Sequence, residues 1–252
     1  LGLAFMPKTE NREALLKAVL GFQELLFTLI KALLFVLPLG ILAFAGQLSA
    51  QIEAGVIVGA LGKYTLVIMA SNCVQFFIVL PIFLLARGLN PIDVFKKMSP
   101  AVAVALFTKS SAGTLPVTMA SAEQNMKVNK AVSRFVLPIC TTINMNGCAA
   151  FILITSIFVM QNAGFELSMT TMLTWLLVSV LAAVGNAGVP MGCYFLTLSL
   201  MSGIGVPIGI MGIILPIYTI IDMVETAENV WSDSCVCAMT DHDLKGKIAE
   251  EE

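Results

Sequence analysis

The sequence predicts an all-α membrane protein in which spanning helices are combined with two oppositely oriented re-entrant helical hairpins, an inverted repeat. Three observations carry this. Hydrophobic residues make up 58% of the 252 residues and charged ones only 12%, about half the charged share of a soluble domain, and the mean hydropathy is +0.93. From Phe135 to Ile221 the sole charged side chain is Glu166, so this stretch must lie in hydrocarbon or be wrapped by protein. The basic residues gather between apolar blocks, which fixes a topology. A net charge of -2 with a pI near 5.5 leaves no basic surplus for a phosphate backbone and excludes nucleic acid as a partner.

Windows of about 19 residues give apolar blocks near 22–48, 55–86, 99–126, 131–160, 170–206 and 207–237. Basic residues cluster at Lys8/Arg12/Lys17, Arg87/Lys96/Lys97, Lys127/Lys130/Arg134 and Lys245/Lys247, while Lys31, Lys63 and Lys109 fall within blocks. The connections near 49–54, 161–169 and 203–209 hold no Lys or Arg. The positive-inside rule places the clusters in the cytoplasm and the bare connections outside. Residue 1 is Leu, and Leu1 to Lys17 lacks the pattern of a signal peptide, so a further N-terminal portion is expected.

Block 99–126 has cytoplasmic clusters on both flanks and a break at Lys109-Ser110-Ser111-Ala112-Gly113. It enters and leaves on one side as a hairpin. Block 170–206, flanked by bare loops and broken at Gly185-Asn186-Ala187-Gly188-Val189-Pro190, forms the second hairpin, dipping from outside. Each hairpin is followed by a span, 131–160 and 207–237, and such repeats hold a substrate site near the bilayer midplane. Charge arithmetic alone leaves open that each block is a pair of short spans.

The last span carries Asp222, Glu225, Thr226, Asn229 and Asp233, which at about 100° per residue share one stripe. A mid-membrane carboxylate costs about 2.5–3.5 kcal/mol even on the lenient insertion scale, so the stripe needs cations, water or donors facing it. Placement among headgroups suits Asp241 and Asp243 but not Asp222, well before the tail. In block 131–160 the run Thr141-Thr142-Ile143-Asn144-Met145-Asn146-Gly147 admits two readings. Unwinding there would free carbonyls for a hard cation, or the amides clamp neighbouring helices. Ser110, Ser111 and Gly113 precede a half-helix whose amides attract a carboxylate, with a plain cap as the competing reading. Lys109 neutralises Glu225 or snorkels to the cytoplasmic face. The cysteines lie mostly in apolar stretches without paired spacing, so neither a disulfide frame nor a zinc site is expected, and His242 is read as solvated.

These residues resemble the dicarboxylate/amino acid:cation symporter family, the glutamate transporter family. Phe107 to Val117 resembles its serine-rich first hairpin tip, Thr142-Ile143-Asn144-Met145-Asn146-Gly147 its broken-helix motif, Gly185 to Pro190 its second tip, and Asp222 to Asp233 its last helix. The resemblance runs from the fifth spanning helix onward. It implies a scaffold region with one span over 1–54, a transport domain over 55–237 and a cytoplasmic tail over 238–252. It further implies a homotrimer in the plasma (inner) membrane, with Na⁺ or H⁺ driving substrate uptake as the transport domain slides like an elevator, and no organic cofactor.

By the family pattern the substrate is held by Ser110, Ser111, Val189, Asp222, Glu225, Thr226 and Asn229. Ser111 and Asn229 take its carboxylate; Asp222, the Val189 carbonyl and Thr226 take its ammonium. The coupling ions take Thr142, Asn144, Met145, Asn146, Val184, Asn229 and Asp233, an oxygen set suited to a hard cation. Glutamate and aspartate carriers have Arg where this chain has Glu225, a bidentate clamp for the second carboxylate. The Glu225-Thr226 pair resembles the serine/threonine branch, which implies a small neutral amino acid, with a glutamate, aspartate or dicarboxylate substrate as the alternative. Asn146 replaces a cation-binding Asp, and Asn146-Gly147-Cys148-Ala149 has some similarity to cystine carriers. An ion channel is a more distant reading. An intramembrane hydrolase built on Lys109 or Ser110 lacks a converging base, so the chain is not read as an enzyme.

Overall fold

In the computed structural model the described residues are 58–245 and 247, with isolated positions between 13 and 25. The expected span at 22–48, the first basic cluster and the boundary at 54 lie, isolated positions apart, outside them. The chain divides into two units, Leu1–Ala50 and Gln51–Glu252, and the helices from Val58 onward all belong to the second. Its described residues contain helices and no strand. In order these are α1 (Val58–Val74), a π-helical turn (Gln75–Val79), α2 (Leu80–Ala86), α3 (Pro91–Thr108), α4 (Ser111–Gln124), α5 (Lys130–Ile143), α6 (Asn146–Asn162), α7 (Met169–Val184), α8 (Gly192–Gly203) and α9 (Gly209–Leu244).

Among the described residues three stretches are long and apolar enough to cross a membrane: Leu61–Ala86, Lys130–Asn162 and Gly209–Leu244. By contrast α4 and α8, of 14 and 12 residues, reach about 21 and 18 Å, short of a hydrocarbon core of ~30 Å. Local chemistry sets these boundaries. Asn90 caps α3 by accepting from the amides of Ile92 and Asp93, with Pro91 at its first turn. Asn129 and Ser168 cap α5 and α7 in the same way, each satisfying amides that a helix start leaves free.

The long α9 is the axis on which α3, α4, α5 and α6 pack. One apolar cluster joins Met98, Ala101, Ala122, Leu137 and Val230, and a second joins Leu80, Leu84, Val94, Trp231 and Cys235. The π turn leaves the Phe76 carbonyl free to accept from Trp231 Nε1 at 3.2 Å, pinning α9 to the first span. Consecutive α3 and α4 form a helical hairpin, whereas α7 and α8 both rest on α6. Outward faces are apolar and bare, as at Leu66, Phe77 and Leu181, which suits lipid or other protein rather than water.

Contacts at one end draw the basic loops to the end of α9. Arg87 pairs with Asp243, the Asn129 amide donates to Asp241 Oδ1 at 2.9 Å, and Asn125 Nδ2 donates to the Lys97 carbonyl at 3.0 Å. Arg134 pairs with Glu123 at 3.1 Å in the same region, where α4 turns into α5. One expectation is corrected: Cys148 and Cys193 form a disulfide. The start of α8 lies on the start of α6, so two apolar stretches far apart in sequence bring their sulfurs together without any spacing motif.

Candidate functional site

Asp222, Glu225, Thr226, Asn229 and Asp233 are each at most 5% exposed. The whole of Glu225–Cys235 is buried, so protein rings this part of α9 where the sequence suggested a single sheltered stripe. Charged carboxylates are costly here unless donors, cations or protons answer them.

The break between α5 and α6 supplies part of the answer. Asn144 and Met145 leave helical conformation, at φ -96°, ψ 65° and φ -105°, ψ 68°. Asn144 Nδ2 donates to Asp233 Oδ1 and to Ser232 Oγ, both at 2.9 Å, and Asn146 Nδ2 donates to Ser232 Oγ at 2.9 Å. The Gly147 amide, freed by the break, donates to Asn229 Oδ1 at 2.9 Å. Unwinding and amide clamp, left as alternatives by the sequence, occur together. Toward Asp233, Asn144 turns its side-chain amide, whereas the family pattern assigns its carbonyl to the ion. The Thr142 side chain is exposed and bonds back to the Ile139 carbonyl, so Thr142 has only its main chain to offer.

Both inter-helix tips close on the same region. Ser110 Oγ caps α4 by accepting from the Gly113 amide and donates to the Gly188 carbonyl, each at 3.0 Å. The Ala112 amide also donates to Gly188 at 3.3 Å. Close approach requires glycine there: with φ at +64°, a Cβ would lie 2.8 Å from the Thr141 carbonyl and 3.1 Å from Met145 Cε. Ser111 is buried at the start of α4. On the far side of the second tip the Met191 amide donates to Asp222 Oδ2 at 3.2 Å, and the Val189 carbonyl accepts from Gly192. Val184 ends α7 and is 43% exposed.

Lys109 ends α3 in the left-handed region at φ 53°. Among the described residues Lys109 forms no ion pair. Sequence reasoning passed over Tyr218, whose hydroxyl lies 3.3 Å from Asp222 Oδ1 and 3.2 Å from Glu225 Oε2. It also passed over Asn186, whose Nδ2 reaches the sulfurs of Cys148 and Cys193 at 3.1 and 3.3 Å. Position one turn from Asp222 could have signalled Tyr218. Among the described residues Glu225 Oε1 has no partner. The arrangement presents carboxylates for a cationic group, half-helix amides for an anionic one, and oxygens for a hard cation within one enclosed region.

A model of the sodium:dicarboxylate symporter family matches residues 1–243. Excitatory amino acid transporter 1 of Homo sapiens is 32% identical over 248 residues, 96% of this chain and 46% of that protein. The Ambystoma tigrinum protein of the same name is 31% identical over 243 residues, 96% and 45% respectively. Neutral amino acid transporter A of Bos taurus is 30% identical over 244 residues, 96% and 46%. The chain spans less than half the length of these curated relatives.

Proposed function

The chain belongs to the sodium:dicarboxylate symporter family and to an integral, multi-pass membrane protein, and from that premise we propose that it couples Na⁺ to the uptake of a small neutral amino acid. The observation that carries this is the closure of both tips over the polar stripe of α9, through Ser110 to Gly188 and Met191 to Asp222. Asp222, with the Val189 carbonyl and Thr226, receives the substrate ammonium. Ser110, Ser111 and Asn229 receive its carboxylate at the positive end of α4. The Asp233 carboxylate, with main-chain oxygens of Thr142, Asn144, Met145, Val184 and Asn229 and the Asn146 side chain, receives the coupling ion.

In this reading α3–α4 and α7–α8 are re-entrant hairpins, since helices of 14 and 12 residues are too short to span. They move with α9 as one transport body against a scaffold in a homotrimer. Glu225 faces the substrate side chain and disfavours a second carboxylate. A glutamate or dicarboxylate substrate is the second reading, favoured by the excitatory amino acid transporters among the relatives. Uptake of a labelled amino-acid panel into proteoliposomes, with Na⁺ and H⁺ gradients imposed separately, tests the proposal. Na⁺-driven accumulation of serine or threonine is expected, and accumulation indifferent to both gradients would overturn it.

A further inference from the structure

Another group of polar atoms lies on a different side of α9, about 120° round the helix from Asp222. Glu228 is 0% exposed, and among the described residues neither of its carboxylate oxygens has a hydrogen-bond partner. Among the described residues no Lys, Arg or His pairs with it. From α1 comes Asn72, 1% exposed, whose Oδ1 also lacks a partner among the described residues. Its orientation is set because Nδ2 donates to the Ile68 carbonyl at 2.9 Å, which turns the oxygen inward. Both groups converge on Gly147, where a Cβ would lie 2.6 Å from Glu228 Oε2 and 3.1 Å from Asn72 Oδ1. Acceptor oxygens without a donor therefore share a space that the absent side chain at Gly147 leaves open.

Buried acceptors crowded on one spot repel one another and have given up water without compensation. A hard cation reverses both costs, because oxygen lone pairs are its ligands. Charge sets its valence. One carboxylate is neutralised by one positive charge, whereas a divalent ion would leave an excess charge among the apolar side chains of Phe76, Val102, Val224 and Ala227 beside Asn72.

We propose that Glu228 and Asn72, over Gly147, bind a monovalent hard cation such as Na⁺ at the crossing of α1, α6 and α9, separate from the ion assigned to Asp233. The ion would fasten the first span to the broken helix and to α9. This rests on the cation-coupled reading only for its role in transport, since binding itself can be measured without substrate.

The test is the thermal unfolding midpoint of the purified protein as NaCl replaces choline chloride at constant ionic strength. The wild type should show a saturable rise with Na⁺. In Glu228→Gln the Na⁺ affinity read from that rise should fall at least about tenfold, as removal of even supporting groups does at metal sites. Its midpoint in choline should equal or exceed that of the wild type, because an uncompensated buried charge has gone. Asn72→Leu, which removes only the amide partner, should weaken the same part of the Na⁺ response, while Asp233→Asn should spare it. An unchanged Na⁺ response in Glu228→Gln or in Asn72→Leu would overturn the site. A lowered midpoint in choline with the Na⁺ rise intact would assign Glu228 a packing role instead. A wild type with this Na⁺ response but no Na⁺-driven uptake would keep the site and remove the transport reading.

Discussion

Replacing Glu225 by Gln removes one negative charge from the substrate site proposed above. Glu225 is 1% exposed. Its Oε2 shares the Tyr218 hydroxyl with Asp222, at 3.2 and 3.3 Å, so the two carboxylates stand side by side. In the proposed binding mode an amino acid held by its ammonium at Asp222 extends its side chain toward Glu225. A substrate carboxylate about 4 Å from Glu225 at an effective dielectric near 20 meets a repulsion of about 4 kcal/mol, which is about a thousandfold in affinity. Neutral hydroxyl substrates do not meet it. In proteoliposomes taking up labelled serine, glutamate should compete about a thousandfold more weakly than its neutral counterparts with wild type. With Glu225→Gln most of that gap should close, and with Glu225→Arg preference should pass to aspartate or glutamate. If glutamate displaces the label from wild type at lower concentration than serine or threonine does, the reasoning fails. Lys109 is then the residue that receives the second carboxylate.

Asp222→Asn should abolish binding of every amino acid tested, acidic or neutral, because its partner is the ammonium they share; retained binding in equilibrium dialysis would remove it from the site. Asp233→Asn should weaken the Na⁺ dependence of uptake while leaving a folded protein, read as an increase in half-saturating Na⁺ with an unchanged elution profile. Gly188→Ala should cost about 2 kcal/mol, since the left-handed conformation and the approach to the Thr141 carbonyl both resist a Cβ, and a lowered unfolding midpoint checks it. Cysteines placed near Lys97 and Lys127 should be labelled only from the cytoplasm, and those near Glu166 and Gly205 only from outside; labelling of the first pair on opposite sides would refute the hairpin topology.

The breaks in the apolar blocks were legible because Lys109 to Gly113 and Gly185 to Pro190 set poor helix formers inside hydrophobic runs, and the chain turns at both. Asp222 to Asp233 was legible because helical spacing places those residues on one stripe, and all are buried. Glu228 was not, since it stands off that stripe and its neighbour Asn72 is a lone amide in an apolar span. The π turn at Gln75–Val79 has no Gly to announce it, and its Pro81 falls just beyond. The Cys148–Cys193 bond depends on how α8 lies on α6, a tertiary fact with no local signature. Tyr218 was not singled out, because in sequence it is an aromatic within an apolar run and its hydroxyl meets the two carboxylates only in the fold.

Coupling itself is the central claim, and radioactive sodium entering proteoliposomes as external substrate is added measures it most directly. Sodium entry should require serine or threonine, saturate at the substrate concentration that half-saturates amino-acid uptake, and be lost in Asp222→Asn. Sodium entry without substrate, or amino-acid uptake that continues unchanged when choline replaces sodium, would contradict the account.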